Sequence, residues 1–465
     1  MHTGRGWLLT LGFLSLFAGG CSLSLPTQSL PNASDLGSPR GYRIARTLTH
    51  FHSPYSYDAC DKNGLSGTTP NSECYAHLVR AMCLNRVDFL FITDHPDHMQ
   101  DYEMRDLLIV QDGDTVLNSG TGDPYAKRVG SCENGFQPVF LLGFESRLMP
   151  LGITKHLDAA VSDRKTNYQL DTAAIRARLQ TETDAVVAVP HTEHWSVDSL
   201  RTLQPDAIEI YNFHANIDPK IRRTYLNAPP FTNIASFLTY LIDPYKQLVP
   251  DYGFLSFLQT FPVYFSIWNS LIDGGLHVTG LGGTDSHENV FPQIVSDGER
   301  LDSHRRVTRM MSNHFLVNDL NISTLKSAIR AGRGWLVFEG LGTPVGMDFY
   351  ATVSGTTVGV GETGTLGGAS ATITVLAPHL HADSPQSTEN PVFKLKLKRV
   401  LSGGNDEVVA SSEGQDLSYS TTQSGAYRAE ITIIPKHIRK YLSDFSDRAD
   451  QEYSWIITNH LYLNP

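Results

Sequence analysis

The sequence lacks any long apolar run beyond its first 21 residues: no later segment reaches the length of about 18 apolar residues that a membrane-spanning helix needs. Charge is also scarce, since Asp, Glu, Lys and Arg make up 18% of the 465 residues, and acidic side chains outnumber basic ones by 48 to 37. The net charge of −11 argues against a nucleic-acid-binding protein that relies on long-range attraction to phosphates. A hydrophobic content of 41% excludes a disordered chain.

The first 21 residues are typical of an export signal. Arg5 precedes an apolar run over residues 7–18, which is too short to span a bilayer as a mature helix. Small residues then lead into Cys21, so the segment resembles a bacterial lipoprotein signal whose cysteine is lipidated, with an ordinary secretory signal as the alternative. We expect an exported protein that is anchored through Cys21 to a bacterial membrane, and Ser22 favours the outer membrane, facing the periplasm or the cell surface. The Ser-, Pro- and Gly-rich residues 22–41 predict a flexible tether.

Cysteine is scarce as well, with five in the chain, and none of those after the signal has the CxxC spacing of a zinc ribbon. Cys60, Cys74, Cys83 and Cys132 therefore predict two disulfides, which an oxidising compartment permits. Three pairings are possible for four cysteines, and the sequence leaves them open.

Short apolar runs alternate with helical patterns between residues 42 and 340. Runs such as VDFLFITDH (87–95) and AVVAVPH (185–191) are apolar until they reach a polar cluster, so they predict an α/β fold with a parallel sheet. Because ligands gather at the carboxyl ends of parallel strands, we expect the polar clusters to converge. The aromatic-rich residues 231–275 predict inserted helices, which either pack on this domain or form a lid or a membrane-facing surface.

The composition changes over residues 341–465. Segments such as ASATITVLAPH and PVFKLKLKRVLSGG alternate polar and apolar side chains between Gly, Ser and Asn turns, with little helical pattern. This predicts a small antiparallel β-sandwich domain. Its polar residues are scattered, so we expect the chemistry to lie in residues 42–340. Two folded domains agree with the two or three that the length predicts.

Histidines and carboxylates cluster at the ends of the predicted strands. HFH places His50 and His52 two residues apart on one strand, where both side chains face the same way, and TDSH does the same for Asp285 and His287. Imidazole together with carboxylate suits Zn, Mn or Fe, whereas calcium prefers oxygen ligands. The number of candidate ligands exceeds the four of one tetrahedral zinc, so we predict two or three divalent metal ions in a catalytic site. The other candidate ligands are Asp58, His95, Glu145, His156 and His191.

The motif HFHSPYSYD, followed in order by ITDH, GFES, PH and GTDSH, resembles the PHP family, which is named for its polymerase and histidinol phosphatase members. The resemblance covers roughly residues 42–340 and is greatest to exported or surface members that carry a C-terminal β domain. It implies a distorted (β/α)7, TIM-like barrel and metal-dependent phosphoesterase activity at a trinuclear site. The residues that match the family's ligands are His50, His52, Asp58, His95, Glu145, His191, Asp285 and His287.

One ligand position of the family is matched less closely. His156 corresponds to it by its place in the chain, but the flanking residues carry no motif, and His194 is the alternative for this role. Thr192 follows His191 where proline is usual in the family.

Several further residues are expected to support the site. Asp94 is expected to orient a neighbouring ligand, and Glu209 and Asn212 end a strand in a supporting motif. Three more residues lie close to the motifs, and we expect them either to contact substrate or to serve packing: Tyr55, Tyr57 and His98.

Taken together, the sequence predicts a metal-dependent phosphoesterase that hydrolyses a small phosphorylated substrate, either a monoester or a diester. Clustered cations supply hydroxide near neutral pH, and Glu145, Asp285 and His287 are the predicted catalytic residues. Two alternatives stay open: a membrane-anchored surface binding protein that retains a metal site, and a metal-dependent hydrolase of C–N or C–O bonds. The sequence does not predict the substrate, the metal or the oligomeric state.

Overall fold

The computed structural model describes residues 29–231, 237–240, 248–385 and 387–465. The predicted signal peptide with its Cys21 lies outside the described residues, and so do residues 22–28 of the predicted tether. The insertion predicted over 231–275 is described except for residues 232–236 and 241–247.

The strands and helices are numerous and short, as expected for a chain rich in turns. The strands are β1 (Arg43–Leu48), β2 (Leu65–Ser66), β3 (Thr69–Pro70), β4 (Phe89–Ile92), β5 (Thr115–Asn118), β6 (Pro124–Arg128), β7 (Val139–Leu142), β8 (Met149–Leu151), β9 (Val186–Val189), β10 (Ala207–Asn212), β11 (Thr279–Gly283), β12 (Ser312–Val317), β13 (Gly334–Val337), β14 (Pro344–Val345), β15 (Asp348–Val353), β16 (Thr356–Gly359), β17 (Thr363–Thr365), β18 (Ala371–Leu376), β19 (His379–Leu380), β20 (Val392–Val400), β21 (Asp406–Glu413), β22 (Leu417–Thr421), β23 (Gly425–Ile434), β24 (Tyr453–Thr458) and β25 (Leu461–Asn464). The α-helices are Ser72–Leu84, Pro96–Met99, Met104–Leu107, Val161–Asn167, Ala173–Thr183, Val197–Leu203, Phe213–Ile217, Pro219–Thr224, Pro262–Asp273, His304–Met310 and Ile322–Ala331.

Parallel strands form the centre of two sheets. In the first sheet, β4 pairs in parallel with β1 and with β7. In the second, β10 pairs in parallel with β9 and β11, and β8 pairs antiparallel with β9. Isolated bridges link the two sheets at both margins, Phe51 to Ser286 in parallel and Gly143 to Leu151 antiparallel. The predicted α/β class with parallel strands is confirmed.

The central strands are apolar because both of their faces are buried. Every residue of β4, β7 and β9 is buried. Successive side chains of a strand point to opposite faces, and here both faces pack into apolar clusters. Phe91 and Val186 belong to one cluster, whereas their neighbours Leu90 and Val187 belong to another. Strands packed on both faces show no polar alternation, which explains the continuous apolar runs in the sequence.

The C-terminal strands pair antiparallel, except that β17 pairs in parallel with β25, and part of them join the first sheet. β15 pairs with β16 and β18, and β18 pairs with β22, to give a four-stranded sheet. β24 instead pairs antiparallel with β13, with Trp335 opposite Thr458, and through this pair the strands β17, β20, β21, β23, β24 and β25 extend the first sheet across residue 340. The composition change at residue 341 therefore marks a change of strand type, and the strands after it are divided between the first sheet and smaller sheets of their own.

The structure differs from the predicted tether over residues 29–41. Leu30, Ala33 and Leu36 are buried, and the backbone N–H of Leu30 donates to Leu84 O at 2.9 Å. The Pro31 carbonyl accepts from the buried guanidinium of Arg46 at 2.7 Å. A few apolar side chains spaced among Ser, Pro and Gly are enough to hold this segment against the domain, which the composition alone did not reveal.

The described part of the insertion packs on the domain. Phe254, Phe257 and Trp268 are buried, and the Trp268 indole N–H donates to Val278 O at 2.8 Å. Phe237 contacts Phe254, with ring centroids 4.8 Å apart. For these residues the packed alternative holds, rather than an exposed lid. Within the ranges that the structure describes, none of the helices is long and apolar enough to cross a membrane.

Two disulfides form among the four cysteines after the signal. Cys60 pairs with Cys74, and Cys83 pairs with Cys132. The number of disulfides agrees with the prediction, and the structure supplies the pairing that the sequence left open.

Candidate metal centre

The predicted polar clusters converge at the carboxyl ends of the parallel strands. The bridge between Phe51 and Ser286 runs in parallel, so it places the His50–His52 pair beside the Asp285–His287 pair. Two backbone hydrogen bonds fix this register: Asp285 N–H donates to His50 O at 3.0 Å, and His52 N–H donates to Ser286 O at 3.2 Å. The other strand ends contribute His95 after β4, Glu145 after β7 and His191 after β9.

Glu145 lies between histidines on two sides. Its Oε2 lies 3.2 Å from His50 Nε2 and 3.3 Å from His52 Nε2. Its Oε1 lies 3.4 Å from His191 Nε2. A carboxylate whose two oxygens face different imidazole nitrogens suits a site for more than one cation.

Asp285 repeats this arrangement from the opposite strand. Its Oδ1 lies 3.1 Å from His52 Nε2 and 3.3 Å from His50 Nε2, and its Oδ2 lies 3.2 Å from His191 Nε2. His191 and Asp285 both have left-handed backbone, with φ of 46° and 51°. Such a conformation costs a residue with a Cβ about 1–2 kcal/mol, and it is found preferentially at functional sites.

A second group of donors adjoins the first and shares His52 with it. His52, Asp58, His95 and His287 each offer an atom, and these atoms lie within 4.8 Å of one another. Asp58 Oδ2 lies 3.2 Å from His287 Nε2 and 3.4 Å from His95 Nε2. The rings of His52 and His287 stack with centroids 3.9 Å apart. The first group comprises His50, His52, Glu145 and Asp285 on the same distance criterion.

Buried carboxylates fix the orientation of two of the histidines. His50 Nδ1 lies 2.7 Å from Glu209 Oε1, and His191 Nδ1 lies 3.1 Å from Glu193 Oε1. An ionised carboxylate only accepts hydrogen bonds, so in each ring Nδ1 carries a proton, and in the neutral form of the ring Nε2 carries the lone pair. This partnership of imidazole and carboxylate is the usual support of a metal-binding histidine.

Oxygen acceptors also fix a proton on Nδ1 in the other three rings. Nδ1 of His95 donates to Glu145 O at 3.1 Å, and Nδ1 of His287 donates to Asp285 O at 2.8 Å. Nδ1 of His52 donates to Ser56 Oγ at 3.0 Å, while the Ser56 hydroxyl donates to Asp58 at 2.7 Å. All five histidines therefore direct an Nε2 lone pair towards the carboxylates at the centre.

The charges of the buried side chains at the centre favour bound cations. Burial by itself raises the pKa of Glu145 and of Asp285, but the surrounding histidines outweigh it and hold both pKa values well below their usual range. Burial likewise lowers the pKa of His50, but Asp285, Glu145 and Glu209 outweigh it and raise the pKa well above its usual value. Without metal, the buried carboxylates are therefore paired with protonated imidazoles. Divalent cations would take the place of these protons and leave the rings neutral.

Two buried atoms support this fit. Asp285 Oδ1 and His287 Nε2 are buried and make no hydrogen bond, although they lie 3.1 Å from His52 Nε2 and 3.2 Å from Asp58 Oδ2, respectively. Buried polar atoms are almost always paired in proteins, so two unpaired atoms inside one donor cluster indicate that the residues suit bound ions. The nitrogen and oxygen donor set suits Zn, Mn or Fe.

The structure does not bring His156 into this centre. Its Nδ1 lies 2.8 Å from the Tyr168 hydroxyl, and its Nε2 lies 2.9 Å from Tyr102 O, so both ring nitrogens are used elsewhere. Burial, assisted by Arg164, lowers the pKa of His156 to about 4. The match rested on order along the chain, which carries no information about where the ring points.

His194, the alternative to His156, lies at the edge of the centre. Its ring stacks on His191 with centroids 5.5 Å apart, and its Nε2 lies 3.7 Å from Glu193 Oε1. It faces no second carboxylate in the described contacts, and its side chain is about one-third exposed, at 32%.

The predicted supporting residues each have a defined partner. Asp94 accepts from the backbone N–H and the hydroxyl of Ser53, both at 2.6 Å, and so holds the loop that follows His52. Glu209 accepts from the backbone N–H of His191 at 2.8 Å and from Asn212 Nδ2 at 3.0 Å. Glu209 therefore connects two ligand residues.

The two tyrosines that were expected either to contact substrate or to serve packing differ in their exposure. Tyr55 is buried against Tyr102, with ring centroids 4.6 Å apart, so it serves packing. Tyr57 is exposed, and its ring lies 5.0 Å from that of His95 and 6.4 Å from that of His98.

Sequence inspection missed Glu193 and His214. Glu193 stands in HTEH, two residues after a ligand, where its role as partner of His191 is signalled only by this spacing. His214 comes shortly after Asn212, the last residue of β10, and its ring lies 5.4 Å from that of His287. A third group, Cys74 with Glu288 and His304, has suitable spacing but is no metal site, because Cys74 is disulfide-bonded.

The loop that carries Asp58 is held on both sides. Residues 60–62 all have left-handed backbone, with φ between 54° and 63°. The Cys60–Cys74 disulfide ties this turn to the first long helix, Ser72–Leu84. The Cys60 N–H also donates to His287 O at 2.9 Å, so the turn after Asp58 is held both by the disulfide and by the backbone of His287.

Comparison with known proteins gives structural matches only. No protein-family model and no curated protein matches the chain. Solved structures that match include a two-domain protein from Bacteroides vulgatus ATCC 8482 that contains a predicted PHP-like metal-dependent phosphoesterase, with 12% identity, 92% of this chain and 98% of that chain covered, and a TM-score of 0.37. Another is PsfC from Pseudomonas syringae PB-5123, with 12% identity, 58% and 82% covered, and a TM-score of 0.29.

Proposed function

We propose that this protein is a metal-dependent phosphoesterase that hydrolyses a small phosphomonoester or phosphodiester. One observation carries the proposal: five histidines each have an oxygen acceptor at Nδ1, and their Nε2 atoms face carboxylates. Three of them, His50, His52 and His191, face the buried pair Glu145 and Asp285, and the other two, His95 and His287, face Asp58. Structural metal sites are closed and usually hold one ion, whereas this donor set is enough for two or three.

The first group of donors and His191 would hold cations around Glu145 and Asp285, and the second group would hold a cation at Asp58. The arrangement fits a distorted (β/α)7, TIM-like barrel built from the two linked sheets, followed by a β-sandwich domain. In that architecture the ligands lie at the carboxyl ends of the strands, as they do here.

Divalent cations at such a site lower the pKa of bound water and polarise a phosphoryl oxygen. The residues of the chain set the conditions for this chemistry. Glu145 and Asp285 place negative charge between the imidazoles, while Glu209 and Glu193 keep His50 and His191 in the tautomer that binds metal. Ligands held in this way lose little freedom when the substrate binds.

We also propose that the protein is exported and anchored through a lipidated Cys21. The two disulfides support this proposal, because disulfides persist mainly in oxidising compartments. The Arg5 and apolar pattern of the first 21 residues supports it as well.

The proposed function is tested with the full chain, extracted in detergent and loaded with Zn, Mn or Fe. p-Nitrophenyl phosphate and bis(p-nitrophenyl) phosphate serve as monoester and diester substrates. Glu145→Ala and Asp285→Ala should lose more activity than the about 10–100-fold that removal of an outer partner costs. Glu182→Ala is the matched control, since Glu182 is an exposed carboxylate paired only with Arg178 among its described ion pairs.

The outcomes separate the alternatives. Chelator-sensitive release of phosphate from the wild type, lost in both variants, supports the phosphoesterase. Full metal occupancy without turnover of either ester would contradict it and favour a hydrolase of C–N or C–O bonds or a metal-retaining binding protein. Normal turnover in metal-loaded Glu145→Ala would contradict the assigned centre.

A further inference from the structure

Exposed tyrosines occur at two places only in the described residues, and both places adjoin the metal centre. Tyr57 is 46% exposed and Tyr225 is 41% exposed, whereas the other described tyrosines are buried or partly buried. A single exposed aromatic residue on a surface needs no explanation. Here, however, the Tyr57 ring contacts His95 of the centre, and the Tyr225 ring contacts His194 at its edge.

The two rings approach the centre from different ligands. The ring of Tyr57 lies 5.0 Å from that of His95, and the ring of Tyr225 lies 4.2 Å from that of His194, which in turn stacks on His191. His95 faces Glu145 Oε2, whereas His191 faces Glu145 Oε1. Tyr57 is therefore one ring away from Glu145, whereas Tyr225 is connected to it through His194 and His191.

Neither tyrosine is required by the chemistry of the ions. Tyr225 follows the helix Pro219–Thr224 and is far along the chain from any ligand, and Tyr57 precedes Asp58 in a loop fixed by a disulfide. An exposed aromatic face beside a catalytic centre offers a stacking surface for a flat ring, which is worth about 1–3 kcal/mol for a base on an aromatic side chain.

We propose that Tyr57 and Tyr225 form an aromatic rim that binds a planar ring of the substrate next to the reacting phosphate. The inference rests on the proposed phosphoesterase activity and deepens it. The substrate class is a small phosphoester that carries an aryl group or a nucleobase, rather than an alkyl or sugar phosphate.

The test compares diesters that share a leaving group. Thymidine 5′-p-nitrophenyl phosphate and phenyl p-nitrophenyl phosphate carry a planar second group, and methyl p-nitrophenyl phosphate does not. We expect the wild type to have a lower KM for a planar diester than for the methyl diester. The p-nitrophenyl leaving group is itself planar and is common to all three diesters. Tyr225→Ala should therefore raise the KM of a planar diester about 5- to 150-fold more than that of the methyl diester, with little change in kcat.

The controls separate stacking from structure. Tyr225→Phe should retain most of the preference, because the ring rather than the hydroxyl stacks. Tyr57→Ala should act like Tyr225→Ala, with its metal content measured because Asp58 is adjacent. Tyr419→Ala, a partly exposed tyrosine of β22, should leave the kinetics unchanged.

Each result decides the inference. Thymidine and phenyl diesters distinguish a nucleobase from a simple aryl group, and a preference for either supports the rim. Equal KM values for all three diesters in the wild type, or equal loss for planar and methyl diesters in Tyr225→Ala, would overturn it. If the metal-loaded wild type releases no p-nitrophenol from any diester or from the monoester, the proposed function itself fails.

Discussion

Glu209 provides a sharp test of how the metal centre is held together. It is fully buried, and its two oxygens serve both His50 and His191. Oε1 accepts from His50 Nδ1 at 2.7 Å, and Oε2 accepts from the His191 N–H at 2.8 Å and from Asn212 at 3.0 Å. The change Glu209→Gln keeps the size of the side chain and replaces one acceptor oxygen by an NH₂ donor.

Every orientation of the new amide opposes a donor to a donor. If its nitrogen faces His50, the ring loses the acceptor that fixes its proton on Nδ1. If its nitrogen faces the His191 N–H, two hydrogen bonds are lost there. Removing an outer partner of a metal-binding histidine typically lowers metal affinity by about 10–100-fold. That range corresponds to about 1.4–2.7 kcal/mol of binding free energy.

The assay is competition for Zn²⁺ between the full chain and a chromophoric chelator, with Glu182→Gln as the exposed control. We expect a Kd at least 10-fold higher in Glu209→Gln and an unchanged Kd in the control. Thermal unfolding of the metal-free proteins shows how much of the effect is stability, since an unpaired buried group costs about 1–3 kcal/mol. An affinity within twofold of wild type, in a folded variant, would refute the argument that Glu209 holds the ligands.

Two further predictions concern the loop that carries Asp58 and the buried ion pair of Arg46 with Glu339. Replacing both Cys60 and Cys74 by Ser should lower the free energy of unfolding by about 3 kcal/mol. It should also reduce the metal content at the group that includes Asp58, as measured by elemental analysis. An unchanged metal content would contradict a role for the disulfide in holding that loop. Burial alone raises the pKa of Glu339, but Arg46 and His314 lower it to about 2. Since this is below the unfolded value of about 4.3, the stabilisation is complete above that pH and is lost as the pH falls towards 2. Glu339→Gln should therefore destabilise the protein more at pH 7 than at pH 3 in urea unfolding, and an equal effect at both would contradict this.

The sequence predicted the position of the centre because the physics of parallel strands is simple. Continuous apolar runs identify strands buried on both faces, and the polar residues that end them meet at one edge. His50, His52, Glu145 and Asp285 could be placed together on this basis, since a two-residue spacing on a strand fixes the direction of the side chains.

Other features depend on tertiary contacts that no local pattern encodes. His156 lies in a segment without a regular element, so its ring direction is set by Tyr168 and Tyr102. The packing of Leu30 against the domain depends on partners distant along the chain. The role of Glu193 depends on the left-handed turn at His191, which the residue type did not signal.

The continuity of the sheet across residue 340 was also beyond the sequence. A period-two pattern predicts strands but not their neighbours, and the pairing of β13 with β24 joins segments about 120 residues apart. The cysteine pairing has the same origin, because the distance between two sulfurs follows from the fold and not from their spacing.

The most direct test of the central claim is elemental analysis of the full chain, purified without chelator. The arrangement of the five histidines and the carboxylates predicts two or three equivalents of Zn, Mn or Fe per chain, removed by chelator and restored by added metal. A chain that binds no metal even after incubation with excess Zn, Mn and Fe would contradict the metal centre and, with it, the proposed function.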